Sequence, residues 1–310
     1  MLGKTAGGLY WMFRGLERAE NNARLIEAGF RIALTRSTNT ATEWKSVIVT
    51  SAAQQGFTAK HTEFNSTNVI DYLLRDTDNP SSVLSVVKQA RDNARMVRTA
   101  LTTEVWSAVN ETWMLITELL KNPVPDTDLP EVLSIIRQQS ALVRGALHGT
   151  MLRNDIYDFC RLGTFIERMD STARIIDVKY YTLLPSPSLV GSRMDNVQWE
   201  TLLRSVSAHR WAVEDDYTAT NIANFLVLDR RMPRSLAFCA GQIVENLDYL
   251  SEEYSDRRPS HDMADRLAAR LKGRDIHSII EEGLHDVLGT IISDVGALGA
   301  QIEKDYRFNY

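Results

Sequence analysis

Apolar residues recur every three to four positions along most of this chain, the spacing of one helix face. Leu9, Met12, Leu16, Ala19, Ala23, Ile26 and Phe30 share such a face, which predicts a helix over about residues 5–35. The same period predicts a helix over 41–55, then an Asn/Thr-capped short helix and a polar loop within 64–83, then a long helix over 81–121. Residues 122–131, with three prolines in ten positions, form a linker. Further helices are predicted over 131–153, through 165–177, and over 197–217, 221–228, 233–254, 262–271 and 275–306, with 183–196 as a second loop. No segment alternates convincingly with the period of two that a strand requires, so the expected fold class is all-α.

Part of this pattern occurs twice. Glu17-Arg18 returns 150 positions later as Glu167-Arg168, Glu20 as Asp170, Ala23-Arg24 as Ala173-Arg174, and Ile26 as Ile176. At an offset of 153, Thr67-Asn68, Leu73, Asp76, Pro80 and Ser82 return as Thr220-Asn221, Leu226, Asp229, Pro233 and Ser235. Gln89 and Asn93 return as Gln242 and Asn246, and Trp44 as Trp199. Offsets that drift by a few residues and keep their order are the trace of a tandem duplication with altered loops. Residues 1–153 and 154–310 are therefore read as two helical repeats sharing one core, an internally duplicated bundle whose halves are related by a pseudo-twofold.

The repeated stretch is charged. On a helical wheel Glu17, Glu20 and Arg24 flank the apolar face. Glu20 to Arg24 is an i,i+4 pair with the acid first, the favourable order, and Asp170 to Arg174 repeats it. Arg18 falls on the opposite side with Trp11, Gly15, Leu25 and Gly29, a set that does not describe a solvated surface. The helix is expected to be contacted on both sides, with Arg18 and Arg168 each reaching a carboxylate. Two readings of these charges stand. One is a set of interhelical ion pairs that fix the register of the repeats. The other is a polar cleft lined by Glu17, Arg18, Glu20, Arg24, Glu167, Arg168, Asp170 and Arg174, able to bind a charged small molecule, a peptide end or a partner. Asn68 and Asn221 follow a Thr and precede an apolar run, as N-caps do. Asp76 and Asp229 stand before a Pro that opens the next helix, as turn residues do. Cleft lining is the other reading of these four.

Composition narrows the function classes. The chain has 310 residues, of which only 16 are Gly and 8 Pro, so few turns are needed. A net charge of −5 and the lack of a Lys/Arg cluster argue against nucleic acid as a partner. No run approaches 18 apolar residues, so no membrane span is expected, and the first fifteen residues lack the apolar core of a signal peptide. A cytoplasmic location is expected. Cys160 and Cys239 are the only cysteines, lie outside any CxxC, and are expected as buried thiols. There is no glycine-rich phosphate loop, GxSxG or HExxH. Di-iron bundles need two Glu-x-x-His motifs; only Glu282 and His285 fit one, and His277, Glu281 and His285 read as a solvated helix face. No metal and no cofactor is expected.

The stretches LYWMFRGLERAENNARLI and YDFCRLGTFIERMDSTARIIDVKYYTLLPS resemble the two signature helices of the bacterial alpha-E family, which is all-helical and named for its Glu-Arg motif. The resemblance covers essentially the whole chain. Members commonly carry a Gly-Arg-aromatic run before Glu-Arg. Here the first copy reads Phe13-Arg14-Gly15-Leu16 and the second Leu162-Gly163-Thr164-Phe165, so the Arg is displaced in one and replaced by Thr164 in the other. What the resemblance implies is a context. Alpha-E proteins are typically encoded beside circularly permuted ATP-grasp proteins, transglutaminase-like proteins and sometimes a proteasome-like peptidase, a setting of peptide or amide-bond synthesis and modification. The expectation is a non-catalytic helical partner of an ATP-grasp-type ligase. The alternatives are an enzyme using the Glu/Arg cleft on an amide or peptide, and a purely structural protein.

Overall fold

A computed structural model describes residues 1–34, 40–182, 193–208 and 218–308; the predicted loop 183–196 falls largely outside these, as does 209–217 of the helix expected over 197–217. The described chain is helical throughout. Residues 1–153 hold α1 (Gly3–Leu34), α2 (Ala41–Thr50), α3 (Gln54–Lys60), α4 (Ser66–Leu74), α5 (Val83–Met96), α6 (Thr103–Leu119) and α7 (Leu129–Thr150). The rest of the chain holds α8 (Asp155–Thr182), α9 (Arg193–Ser205), α10 (Ala219–Val227), α11 (Leu236–Tyr254), α12 (Pro259–Ala269), α13 (Ile276–Glu282) and α14 (Leu284–Asp305).

Three predicted helices are broken, each for a local reason. The long helix expected over 81–121 stops at Met96. A short 3-10 turn follows, and Thr102, in extended backbone, accepts the Val105 N–H and starts α6. The break lets α6 fold back on α5. The helix expected over 275–306 breaks at Gly283, whose φ of 105° no side chain tolerates easily. His277 and Glu281 therefore lie on α13 and His285 on α14, so they do not share one helix face, and Glu282 and His285 straddle the break. The helix expected over 41–55 likewise ends at Thr50, where Ala52 takes a positive φ before α3 begins.

Polar caps set the starts of the paired helices. Asn65 and Thr218 accept the backbone N–H groups of Asn68 and Asn221, so Asn68 and Asn221 are not the caps; they stand three residues inside the cap and donate to it. Pro80 and Pro233 do not open helices either. Ser82 and Ser235 are the N-caps of α5 and α11, each accepting an N–H three residues on.

At the centre α1 lies against α8. Met1 meets Asp155, Tyr10 lies beside Gly163 and Glu17 meets Arg168, so both helices advance in the same direction and are parallel. They approach most closely at Gly163, where an added Cβ would sit 2.2 Å from the Tyr10 carbonyl oxygen. Around this pair the neighbours match. α5 and α7 pack on α1, while α11 and α14 pack on α8; α6 bridges α5 and α7, and α12 bridges α11 and α14. α2 and α9 each touch both α1 and α8. Trp44 on α2 and Trp199 on α9 are both 1% exposed. One continuous apolar core runs through all of this, including the predicted face of α1, of which only Phe30 is half-buried.

Candidate functional site

Parallel packing of α1 on α8 brings the two Glu-Arg pairs face to face, and they exchange partners. Arg168 donates through Nε and Nη2 to the two oxygens of Glu17, both at 2.9 Å. Arg18 donates through the same two nitrogens to the two oxygens of Glu167, at 2.6 and 2.8 Å. Both are two-pronged guanidinium–carboxylate forks, the strongest geometry for this pairing. The side chain of Arg168 is 10% exposed and that of Arg18 30%, so the expected enclosure is tighter at Arg168.

Each fork is completed differently. Glu167 also accepts from Arg14 Nε at 3.0 Å. Arg14 is the arginine displaced from the family's run, and its counterpart Thr164 instead donates to the Cys160 carbonyl. Glu17 therefore has no second arginine from α8. It accepts from Arg234 Nη1 at 2.9 Å and from Arg144 on α7 at 3.4 Å. Arg234 sits in the turn before α11, 153 positions after Ser81; Ser81 contributes a hydroxyl to Arg18 and a carbonyl to Asn22.

Glu20 extends the cluster. It accepts from Arg24 at 2.7 and 3.0 Å, from Arg234 Nη2 at 2.6 Å and from Arg144. Arg24 reaches on to Ser207 Oγ at 2.7 Å. Two carboxylates, Glu17 and Glu20, thus face four guanidinium groups, those of Arg24, Arg144, Arg168 and Arg234. Asp170 and Arg174 form their expected i,i+4 pair but stay half-exposed and apart from this cluster's hydrogen bonds.

The electrostatics follow from enclosure. Burial on its own would raise the Glu17 and Glu20 carboxyls; for Glu20 the neighbouring Glu17 adds to that. The surrounding arginines overcome it and hold both below the usual carboxylate range. Glu167 is lowered in the same way by Arg18 and Arg14 against its own burial. Burial pushes the Arg234 guanidinium down to about 10, with Arg168 and Arg24 acting in the same direction against Glu17. Glu17 and Glu20 are each 1% exposed, and every one of their oxygens accepts from an arginine. Such a carboxylate has neither the free lone pair nor the near-neutral pKa of a general acid or base.

The remaining candidates lie elsewhere. Asp76 accepts the Asp78 N–H and pairs with Lys60; Asp229 accepts the Arg231 N–H and pairs with its side chain, so both are turn residues. Cys160 and Cys239 are buried and reduced; burial pushes the Cys160 thiol well up and the Cys239 thiol to about 12, which leaves no thiolate for nucleophilic attack. Among the described residues no group of His, Cys, Asp and Glu is arranged to hold a metal ion, and no helix is long and apolar enough to cross a membrane.

Arg144 and Arg234 were not among the sequence candidates. A signal for Arg144 existed. Arg137 and Arg144 are seven residues apart on α7, Glu20 and Glu27 are seven apart on α1, and they pair as Arg137–Glu27 and Arg144–Glu20 across antiparallel helices. For Arg234 the signal was a charge gained where the first copy has a serine, beside a Pro and a Ser that recur.

No curated protein and no solved structure matches the chain. The model of the Alpha-E family, described as a predicted alpha-helical domain with a conserved ER motif, matches residues 1–306. The match spans both Glu-Arg pairs and the α1–α8 seam they join, and the chain belongs to the Alpha-E family.

Proposed function

We propose that this chain is a non-catalytic helical subunit of an ATP-grasp-type peptide or amide ligase system, built as two repeats related by a pseudo-twofold along the α1–α8 seam. The observation that carries the non-catalytic part is the state of Glu17 and Glu20: enclosed, ionised and fully engaged by arginines. These charges act as the register lock between α1 and α8. The duplication is supported by the exchange of partners between Glu17–Arg168 and Glu167–Arg18, which is what a twofold imposes on self-complementary contacts. It is supported equally by the matching neighbours of α1 and α8. The partner is suggested by the family's typical setting; the ATP chemistry would be the partner's, and a cytoplasmic site of action goes with it.

Co-purification of the tagged chain with a circularly permuted ATP-grasp protein encoded beside it tests the reading. A stable complex, with ATP turnover in the partner alone, is the expected result. Turnover of an amide or peptide by the isolated chain without ATP would overturn it. Replacing Glu17 and Glu167 by Gln separates the lock from a direct role in ligase action: on this reading any lost ligase activity tracks lost fold.

A further inference from the structure

Beside the N-terminal turns of α8 lies a pocket of about 690 Å³, walled on the other side by α11. It is separate from the Glu/Arg lock. At its floor Asp158 is 5% exposed, yet its carboxyl accepts no hydrogen bond from any described residue and has no ion-pair partner among them. The Asn154 side-chain oxygen, also lining the pocket, is buried without a donor. The Asp158 oxygens are not sealed off as the Asn154 oxygen is, so the carboxyl is presented to the pocket.

The corresponding place in the first repeat is shut. By the 150-residue offset Gly7 and Gly8 stand where Tyr157 and Asp158 do, and Gly8 lies so close to Val97 and Met96 of the α5 end that a Cβ there would be 2.5 Å from Val97. In the second repeat Tyr249 replaces Met96 and the helices leave a space. The opening and the unpaired acid occur together.

The lining states what could fill it. Glu245, Glu252 and Glu253 join Asp158, against the guanidinium groups of Arg153 and Arg161. Arg153 is engaged and Arg161 is engaged in part, its Nε being buried without a partner. Arg153 stacks on Tyr157 and donates to the His148 carbonyl, while Arg161 lies over Phe165 and donates to Gln242. The carboxylates are left in excess, with the Tyr249 ring beside them for an apolar stem. Among the described residues these carboxylates form no group arranged for a metal ion, and spread along α8 and α11 they suit the ammonium of an organic cation. We propose that this pocket binds a protonated aliphatic amine, its ammonium group donating to Asp158 and its stem lying along α11 between Tyr249 and the glutamates.

The groups facing Asp158 are Asp155 and Arg161 from α8, Glu245, Tyr249 and Glu253 from α11, and Tyr306 at the end of α14. Burial first, then Asp155 and Glu253, push its carboxyl up to about 7. An arriving ammonium favours the ionised form, so binding releases a proton near neutral pH and tightens as pH rises.

Titration calorimetry of the full chain tests this with putrescine and butylamine as probes and butanol as the neutral control. Binding of both amines but not butanol, stronger at about pH 8 than at about pH 6, is expected. Asp158→Asn should weaken putrescine binding at least about tenfold while the protein keeps its melting transition. Should that variant not fold, Glu253→Gln, a change at the exposed rim, should weaken binding severalfold. Glu118→Gln, on the far side of the first repeat, should leave it unchanged. No binding at millimolar putrescine at about pH 8, equal affinity in the folded Asp158→Asn variant, or an equal loss in Glu118→Gln would overturn the assignment.

Discussion

Replacing Glu17 by Gln attacks the lock at its most enclosed point. The carboxylate takes four contacts from three arginines, at 2.9, 2.9, 2.9 and 3.4 Å, and is 1% exposed. Gln keeps the volume and one acceptor oxygen, but its amide must point two N–H donors at guanidinium groups. The charge count makes this worse. Two carboxylates already face four guanidinium groups, and the variant leaves Glu20 alone against them. Breaking a buried pair by removing one partner costs about 3–5 kcal/mol. In a chain of this size that lowers the melting temperature by roughly 5–10 °C. The converse change should be milder. Arg144 is 22% exposed, and without it Glu17 keeps Arg168 and Arg234 while Glu20 keeps Arg24 and Arg234. Arg144→Met removes one surplus positive charge but leaves the buried Glu20 Oε2, which only Arg144 answers, unmet, and is expected to cost about 1–3 kcal/mol, less than Glu17→Gln. Thermal unfolding of the two variants beside wild type at neutral pH decides the matter. Equal shifts for Glu17→Gln and Arg144→Met, or no shift for the first, would refute the argument from charge imbalance.

Other expectations follow from the same seam. Arg168→Met should destabilise more than Arg18→Met, because Arg168 is the more enclosed of the two; denaturant midpoints of the two variants give the order. Acid should unfold the protein steeply. Glu17, Glu20 and Glu167 are held below their ordinary value of 4.5, so under that pH the unfolded chain takes up protons that the folded chain refuses. The stability they confer is present above that value and drains as pH falls, by about 1.4 kcal/mol per pH unit for each group, and an acid titration followed by circular dichroism should be shallower in Glu17→Gln. Asp158 has the opposite sign: its carboxyl is raised, so its ionisation destabilises the fold as pH climbs toward about 7, and Asp158→Asn should melt higher than wild type at about pH 8. Gly163→Ala puts a methyl group 2.2 Å from a backbone carbonyl that cannot swing aside, and should cost at least about 1–3 kcal/mol by calorimetry.

The helices, their charged stripe and the i,i+4 pairs Glu20–Arg24 and Asp170–Arg174 could be read from spacing because spacing is local. The far side of α1 was legible in part: Gly15 packs near Val86, Gly29 near Val47 and Leu25 is buried, but Trp11 on the same side is 37% exposed. The breaks at Thr102 and Gly283 were missed because a helical period passes through both; only the cap geometry and one positive φ reveal them. Which arginine answers which glutamate was beyond a single-helix wheel. Arg18 lies on the far side of α1 from the apolar face, and its long side chain reaches Glu167 on α8. Arg144 and Arg234 required knowing which helices meet. Of the cleft residues, Glu17, Arg18, Glu20, Arg24, Glu167 and Arg168 converge on one another along the seam, while Asp170 and Arg174 pair apart.

Glu17 waits for partners that lie 127, 151 and 217 positions further along the chain. During synthesis from the N-terminus, α1 must therefore persist with an unanswered carboxylate on its inner face until the turn before α11 has emerged. Closing loops of that length is entropically slow, and contacts so remote in sequence form late. The first half cannot mature as an independent folding unit, however complete its own helices are. A ribosome-bound fragment ending near residue 153 should remain protease-sensitive, and protection should arrive abruptly only once residue 234 has cleared the exit tunnel.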